Sequence, residues 1–154
     1  MDYGLSTPEQ RRDRSGLEFL RAMIDGEVPA PPIAEPLGFR LVEVEAGRAV
    51  FEGAARPQLL NPLGWVHGGW ALTLIDSATG CALHSELDPG LGYTTVETKV
   101  NFVRPIAADI GLVRCEGRVV SRGRQLATAE AQLRAGDGKL LAHGTSTLMI
   151  LAPQ

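Results

Sequence analysis

The chain has 154 residues, 44% of them hydrophobic, and carries 15 Lys and Arg against 18 Asp and Glu, a formal net charge of −3. This composition is typical of one globular domain, and the net negative charge argues against non-specific binding to nucleic acid. No apolar run is long enough to span a bilayer, and the polar residues 1–15 lack the apolar core of a secretory signal. We therefore expect neither a membrane nor a nucleic-acid partner.

Two cysteines and three histidines are the residues most relevant to redox and metal chemistry. Cys81 and Cys115 lie in apolar patterns, which predicts buried free thiols in a reducing compartment and hence a cytoplasmic location. His67, His84 and His143 are scattered, and no Cys-x-x-Cys motif is present. The sequence therefore predicts no metal site.

The N-terminal residues 1–35 are predicted to precede the main domain, which we place at residues 36–152. Residues 1–15 are expected to form a mobile tail. Residues 16–24 carry one apolar stripe at helical spacing and predict a short amphipathic helix. A proline-rich linker follows, in which helix is improbable because proline lacks a backbone N–H and restricts the residue before it.

The main domain has the pattern of two strands, one long helix and four strands. We predict hairpin strands at 39–45 and 48–55, the long helix at about 66–84, and strands near 94–102, 111–120, 125–134 and 140–151. One long helix with a mostly antiparallel sheet favours a single α+β domain. In that arrangement the sheet curls around the apolar face of the helix.

The strand after the long helix alternates regularly in the sequence. Strict alternation puts Thr94, Val96 and Thr98 on one face of this strand, and Thr95 and Glu97 on the other. Thr95 is then expected on the polar face, opposite to Thr98.

The start of the long helix is a candidate for oxyanion binding. Backbone N–H groups in the first helical turn have no partner inside the helix and lie at the positive end of its dipole. Because Gly68 and Gly69 have no side chain, a ligand oxygen can approach those donors closely. The two glycines also fit a tight turn or close helix packing.

Asp76 is the one carboxylate in this otherwise apolar helix. A carboxylate there costs free energy unless water or hydrogen bonds reach it, which fits either a functional acid or a solvated helix face. Gly68 and Asp76 are eight residues apart, about 12 Å along one helix. They can share a site only if Asp76 comes from a second, antiparallel copy of the helix, as in a two-fold dimer.

The stretch Asn61-Pro-Leu-Gly-Trp-Val-His-Gly-Gly69, followed by Leu74-Ile-Asp76, resembles the hotdog-fold acyl-CoA thioesterases of the phenylacetate-pathway (PaaI) type. The resemblance covers roughly residues 36–150. It implies a single hotdog domain, a curled antiparallel sheet wrapped around one central helix, and an acyl-CoA thioesterase activity.

The resemblance also implies roles for five residues in catalysis. The Gly68 N–H would polarise the thioester carbonyl, and Asp76 of the opposing subunit would act as base or nucleophile. Asn61 would orient water or the carbonyl, His67 would support the thioester region, and Thr95 would help to hold the water. Without the resemblance, Asn61 fits a plain turn initiator and Thr95 fits a strand threonine chosen for β-propensity.

The same resemblance places the CoA portion of the substrate along a strand end and a hairpin. The implied contacts are Phe102, Val103, Arg104, Arg122, Gly123 and Arg124. Guanidinium groups pair well with phosphates, although arginines at a hairpin also fit an ordinary solvated surface. No metal or redox cofactor is expected, because CoA enters as part of the substrate.

The predicted function is hydrolysis of an aryl- or medium-chain acyl-CoA to the free acid and CoA by a cytoplasmic homo-oligomer, a dimer or homotetramer. The identity of the acyl group stays open. One alternative is a hotdog enoyl-CoA hydratase. That chemistry wants an Asp/His pair in one site, and His67 lies nine residues from Asp76 on the same helix. The other alternative is a non-catalytic module that binds acyl-CoA.

Overall fold

The computed structural model describes residues 2–152. Within these residues, three short helices are followed by two strands, a short 3₁₀ turn at Pro57–Leu59, one long helix and four strands. The helices are α1 (Pro8–Arg12), α2 (Gly16–Ile24), α3 (Ala34–Leu37) and α4 (Gly68–His84). The strands are β1 (Phe39–Glu45), β2 (Arg48–Ala54), β3 (Gly92–Phe102), β4 (Leu112–Arg122), β5 (Leu126–Ala135) and β6 (Leu140–Leu151).

All six strands form one antiparallel sheet in the order β1-β2-β4-β5-β6-β3, which leaves β1 and β3 at its two edges. The sheet curls around α4, which packs against every strand. The predicted α+β architecture, a curled antiparallel sheet around one long helix with a short N-terminal helix, is therefore confirmed.

The core lies between α4 and the concave face of the sheet. Leu74, Ile75 and Leu83 are fully buried on the helix and pack with alternate residues of the strands. The closest approach is at Gly117 of β4, where a Cβ atom would lie 2.3 Å from the Ala78 carbonyl oxygen. Only glycine fits at this crossing, and its absence of a side chain lets the helix sit directly on the sheet.

The N-terminal segment differs from the prediction in two places. The predicted tail contains α1, which begins with a capping box: the Thr7 side chain accepts from the Gln10 N–H, and the Gln10 side chain accepts from the Thr7 N–H. The proline-rich linker contains α3, so the expectation of no helix there was wrong. Pro36 is tolerated because it occupies the first turn of α3, where an N–H has no helical partner. Met1, part of the predicted tail, lies outside the described residues.

Strand β3 contains a β-bulge that the alternation pattern did not predict. Its register on β6 shifts between Thr95 and Glu97, so that Thr95 pairs with Leu148 and Thr98 pairs with Ser146. Paired residues share a face, and both partners are buried on the inner face. The extra residue of the bulge therefore turns Thr95 and Thr98 to the same side, and the predicted placement on opposite faces was wrong.

Within residues 2–152, no helix combines the length and the apolar character needed to cross a membrane. Both cysteines are free thiols, Cys115 buried and Cys81 half-buried.

Candidate active site

The start of α4 presents a free backbone donor. His67 is the N-cap residue, and its Nδ1 accepts the Gly69 N–H at 2.9 Å. This contact places the neutral ring's proton on Nε2. Within residues 2–152, no acceptor occupies the Gly68 N–H. This donor is therefore available at the positive end of the helix dipole, as an oxyanion site requires.

The ring of Phe102, at the end of β3, packs over this glycine. A Cβ atom at Gly68 would lie 3.0 Å from Phe102 Cζ. Phe102 itself is 56% exposed, so the ring lies beside the free N–H with most of one side open. The strand end that the resemblance implies for CoA thus lies next to the predicted oxyanion donor.

Asn61 forms the turn that leads into α4. Its Oδ1 accepts the Leu63 N–H at 2.9 Å and the Trp65 N–H at 3.2 Å. These two hydrogen bonds fix the loop before His67. The side-chain oxygen is therefore committed to the turn, as in an Asx turn. Only the NH₂ of this amide remains to donate to a water or a carbonyl.

Asp76 lies two turns further along α4, half-buried, beside a cavity of about 240 Å³. We call it the Asp76 cavity; α2, the linker, β1, β3 and α4 all contribute to its wall. Asp76, Ser77 and Thr95 contribute polar groups to its wall, and Arg40 of β1 also lines it. The structure therefore brings Asp76 and Thr95 to one cavity of the same protomer.

Thr98, which the sequence did not single out, binds the carboxylate directly. Its Oγ1 donates to Asp76 Oδ1 at 3.1 Å, and the same oxygen lies 3.0 Å from Ser146 Oγ. Ser146 Oγ in turn lies 2.8 Å from Thr79 Oγ1. Each hydroxyl has one proton, so when Asp76 is ionised Thr98 donates to Asp76 and accepts from Ser146. We call Thr98, Ser146 and Thr79 the hydroxyl chain.

The hydroxyl chain is hidden from sequence analysis by the bulge. With strict alternation, Thr98 lies on the opposite face from Thr95 and has no reason to meet Asp76. The usable signal is a short polar side chain at a core-facing position, since Ser146 of β6 is 1% exposed and Thr79 of α4 is 0% exposed. Buried hydroxyls need partners.

The predicted catalytic residues form two groups in one protomer. Asn61, His67 and Gly68 surround the start of α4, whereas Asp76 and Thr95 lie at the Asp76 cavity. Eight residues of helix separate Gly68 from Asp76, about 12 Å. A single protomer therefore does not bring the two groups to one reacting atom.

The predicted CoA contacts are also divided. Phe102 ends β3 beside the start of α4, and Val103 and Arg104 follow it. The Arg104 guanidinium donates to the Leu140 carbonyl at 2.6 Å. At the opposite end, Arg122 donates to the carbonyl of Glu86, just beyond α4.

Gly123 closes the hairpin with its N–H on the Leu126 carbonyl, and Arg124 is exposed beside it. The Arg122–Arg124 hairpin therefore lies at the far end of the helix from Arg104.

Three titratable groups near the Asp76 cavity are held uncharged. Burial raises the pKa of the Cys81 thiol to about 12, and burial raises the pKa of Tyr93 well above its usual value. Burial lowers the pKa of His84. At neutral pH all three are neutral, so none of them is an anionic nucleophile.

Residues 63–142, which include α4 and most of the sheet, match the sequence model of the thioesterase superfamily. The chain belongs to the thioesterase superfamily. Human acyl-coenzyme A thioesterase 13 is 27% identical over 84% of this chain and 93% of its own length.

Solved structures agree with the family assignment. A thioesterase family protein from Silicibacter pomeroyi is 31% identical, with a TM-score of 0.76 over 86% of this chain and 98% of that chain. PaaI from the phenylacetic acid degradation operon of E. coli has a TM-score of 0.77 over 91% of this chain and 96% of that chain, at 22% identity. A phenylacetic acid degradation-related protein from Ralstonia eutropha JMP134 is 33% identical, with a TM-score of 0.76 over 84% of this chain and 98% of that chain. These similarities confirm the hotdog fold and the predicted membership among PaaI-type thioesterases.

Proposed function

We propose that this superfamily member is an acyl-CoA thioesterase that hydrolyses a thioester to a free acid and CoA. The observation that carries the proposal is the Asp76 carboxylate, held by Thr98 beside a cavity lined mainly by apolar residues. A mainly apolar pocket with one placed carboxylate suits an acyl group whose carbonyl stops at that carboxylate.

The complete site in this proposal is formed by two antiparallel copies of α4. If Gly68 of one protomer meets Asp76 of the other, the two-fold axis passes near residue 72, midway between them. Two equivalent sites result, each with Asn61, His67 and Gly68 from one subunit and Asp76 and Thr95 from the other. A dimer, alone or within a tetramer, is thus the smallest active unit.

The same dimer geometry brings the two separated groups of predicted CoA contacts together, one group from each subunit. An axis near residue 72 places the end of α4 in one protomer opposite the Asn61 turn of the other. The Arg122–Arg124 hairpin of one subunit then approaches Phe102–Arg104 of its partner. A guanidinium from each side could pair with the phosphates of one CoA, and Gly123 would let the backbone approach.

The chemistry follows from the charges of the groups that meet. The Gly68 N–H stabilises the negative charge that develops on the thioester oxygen. Asp76 either takes a proton from water, whose oxygen then bonds to the carbonyl carbon, or attacks that carbon to form an anhydride that water opens. In both routes the C–S bond breaks and CoA leaves as the thiolate, which then takes a proton.

The test is thiol release from a panel of aryl- and alkyl-acyl-CoAs by the parent protein and by Asp76→Asn. We expect turnover by the parent and a loss of about 10²- to 10⁴-fold in the variant, the usual contribution of a positioned acid or base. Asp137→Asn, which removes an exposed carboxylate from the β5–β6 turn, is the matched control and should keep full activity.

Two outcomes would overturn the proposal. Tight binding of acyl-CoA without release of thiol by the parent would assign a binding module instead. Hydration of an enoyl-CoA without hydrolysis would assign a hydratase. Size-exclusion chromatography with light scattering tests the assembly, and a monomer with full activity would refute the shared site.

A further inference from the structure

A second cavity shares one lining residue, Tyr93, with the Asp76 cavity. It has a volume of about 400 Å³ and is bounded by α1, α2, the end of α4, the start of β3 and the end of β6. Arg11 and Arg12 line it from α1, Phe19 from α2 and His84 from α4. We call it the α1 cavity.

Tyr93 separates the two cavities. It is the one residue within 2–152 that lines both the Asp76 cavity and the α1 cavity. Its hydroxyl lies over Gly80, where a Cβ atom would be 2.5 Å from the Tyr93 oxygen. Its ring centroid is 5.6 Å from that of His84. The side chain is therefore held in place from α4, with the absence of a Cβ at Gly80 making room for it.

The other wall of the Asp76 cavity comes from outside the region that matches the superfamily model, residues 63–142. Met23 of α2 and Ile33 of the linker form this wall with Phe39 of β1. Helix α2 is fixed on the fold because Gly16 packs directly on the end of α4 and its N–H donates to the Leu87 carbonyl at 2.9 Å. The N-terminal segment thus forms a firm side to the cavity.

We propose that Tyr93 is the specificity residue that limits acyl length in this enzyme, with Met23 setting the width of the same pocket. This inference rests on the proposed thioesterase function and adds the selection of the acyl group. The thioester carbonyl lies at Asp76, the acyl group extends toward Tyr93, and Tyr93 blocks its passage into the α1 cavity.

The volume of the Asp76 cavity sets the bulk that it accepts. An apolar cavity of about 150 Å³ is large enough to hold benzene. The 240 Å³ of the Asp76 cavity therefore accommodates one ring with a short link to the carbonyl, or a short branched chain. A long straight chain needs the additional space of the α1 cavity, which is reached only by displacing Tyr93.

The test compares kcat/KM for acetyl-, phenylacetyl- and decanoyl-CoA in the parent, Tyr93→Phe and Tyr93→Ala. We expect the parent to prefer phenylacetyl- over decanoyl-CoA. In Tyr93→Ala the ratio of decanoyl to phenylacetyl should rise at least about 10-fold, the scale at which apolar pockets discriminate size. Tyr93→Phe keeps the ring and should leave the ratio within about twofold of the parent.

A filling variant tests the opposite direction. Met23→Trp reduces the pocket and should lower kcat/KM for phenylacetyl-CoA at least about 10-fold relative to acetyl-CoA. Leu5→Trp introduces the same indole at a side chain that is 85% exposed. It should leave both kcat/KM ratios, decanoyl to phenylacetyl and phenylacetyl to acetyl, unchanged. Thermal unfolding of each variant verifies that it is folded at the assay temperature.

Binding separates this inference from the proposed function. S-phenethyl-CoA and S-decyl-CoA are thioethers that cannot be hydrolysed, and calorimetry with Tyr93→Ala should show a gain in relative affinity for the decyl compound. If no acyl-CoA is hydrolysed but this gain occurs, the thioesterase proposal fails and the pocket stands. An unchanged length preference in Tyr93→Ala, in both turnover and binding, overturns the role of Tyr93.

Discussion

Replacing Thr98 by valine tests whether the hydroxyl chain positions Asp76. Valine keeps the shape of threonine and removes the one side-chain donor that the described part of the chain, residues 2–152, places on the Asp76 carboxylate. Ser146 loses one hydroxyl neighbour but keeps the other, at 2.8 Å. The change therefore acts mainly on the carboxylate and leaves no buried hydroxyl without a partner.

The magnitude follows from the geometry. A hydrogen bond to a charged group contributes about 1.5–3 kcal/mol. The contact is 3.1 Å long and Asp76 is half-buried, so the lower part of that range applies, about 1.5–2 kcal/mol. If the full amount is lost from the transition state, kcat falls by about 10- to 30-fold. KM changes little, because the substrate still enters the same pocket.

The assay is thiol release at saturating acyl-CoA. Thr98→Ser retains the hydroxyl and should keep kcat within about threefold of the parent. Thr128→Val, the same substitution on the exposed outer face of β5, is the matched control. A Thr98→Val enzyme with the kcat of Thr98→Ser, or one that loses affinity for acyl-CoA while kcat is retained, would refute the positioning role.

Three further predictions concern glycines and a thiol. Gly68→Ala should reduce kcat at least about 10-fold by placing a methyl group over the free N–H, whereas thermal unfolding changes little because the exposed Phe102 ring can shift; full activity would exclude this donor. Gly117→Ala places its Cβ against the Ala78 carbonyl and should destabilise the protein by about 3 kcal/mol, a fall in Tm of about 6–12 °C by calorimetry; an unchanged Tm would contradict the close crossing. The Cys81 thiol, with its pKa raised to about 12, should react slowly with iodoacetamide at neutral pH and faster as pH rises. Because this folded-state pKa lies above the unfolded value, its contribution to stability is full below pH 8–9 and is lost toward pH 12; rapid labelling of the native protein at pH 7 would contradict the raised pKa.

The elements that the sequence predicted best are those with strong periodicity. The bounds of α2, β1 and β6 agree with the predicted ranges 16–24, 39–45 and 140–151. Helix α4 begins two residues later than predicted because His67 is its cap and not its first turn. Periodic burial is a local property of the sequence, and it predicts element type reliably.

The features that the sequence did not predict depend on contacts between distant segments. The bulge in β3 arises from the register between β3 and β6, which no local pattern in β3 reveals. Thr98 could not be recognised as a partner of Asp76 without that register, and neither could the position of Tyr93 between two cavities. Asp76 itself was predictable because a lone carboxylate in an apolar helix requires an explanation on its own.

The bulge at Val96 lets the site tolerate a change of one residue in length at this point of β3. Val96 is the residue without a partner on β6, because Thr95 pairs with Leu148 and Glu97 pairs with Thr147. Deleting Val96 would therefore restore an unbroken ladder, with Thr95 and Thr98 both still on the inner face. The deletion would remove the local bend of the strand and keep the hydroxyl chain on Asp76, so a β3 strand one residue shorter can carry the same site.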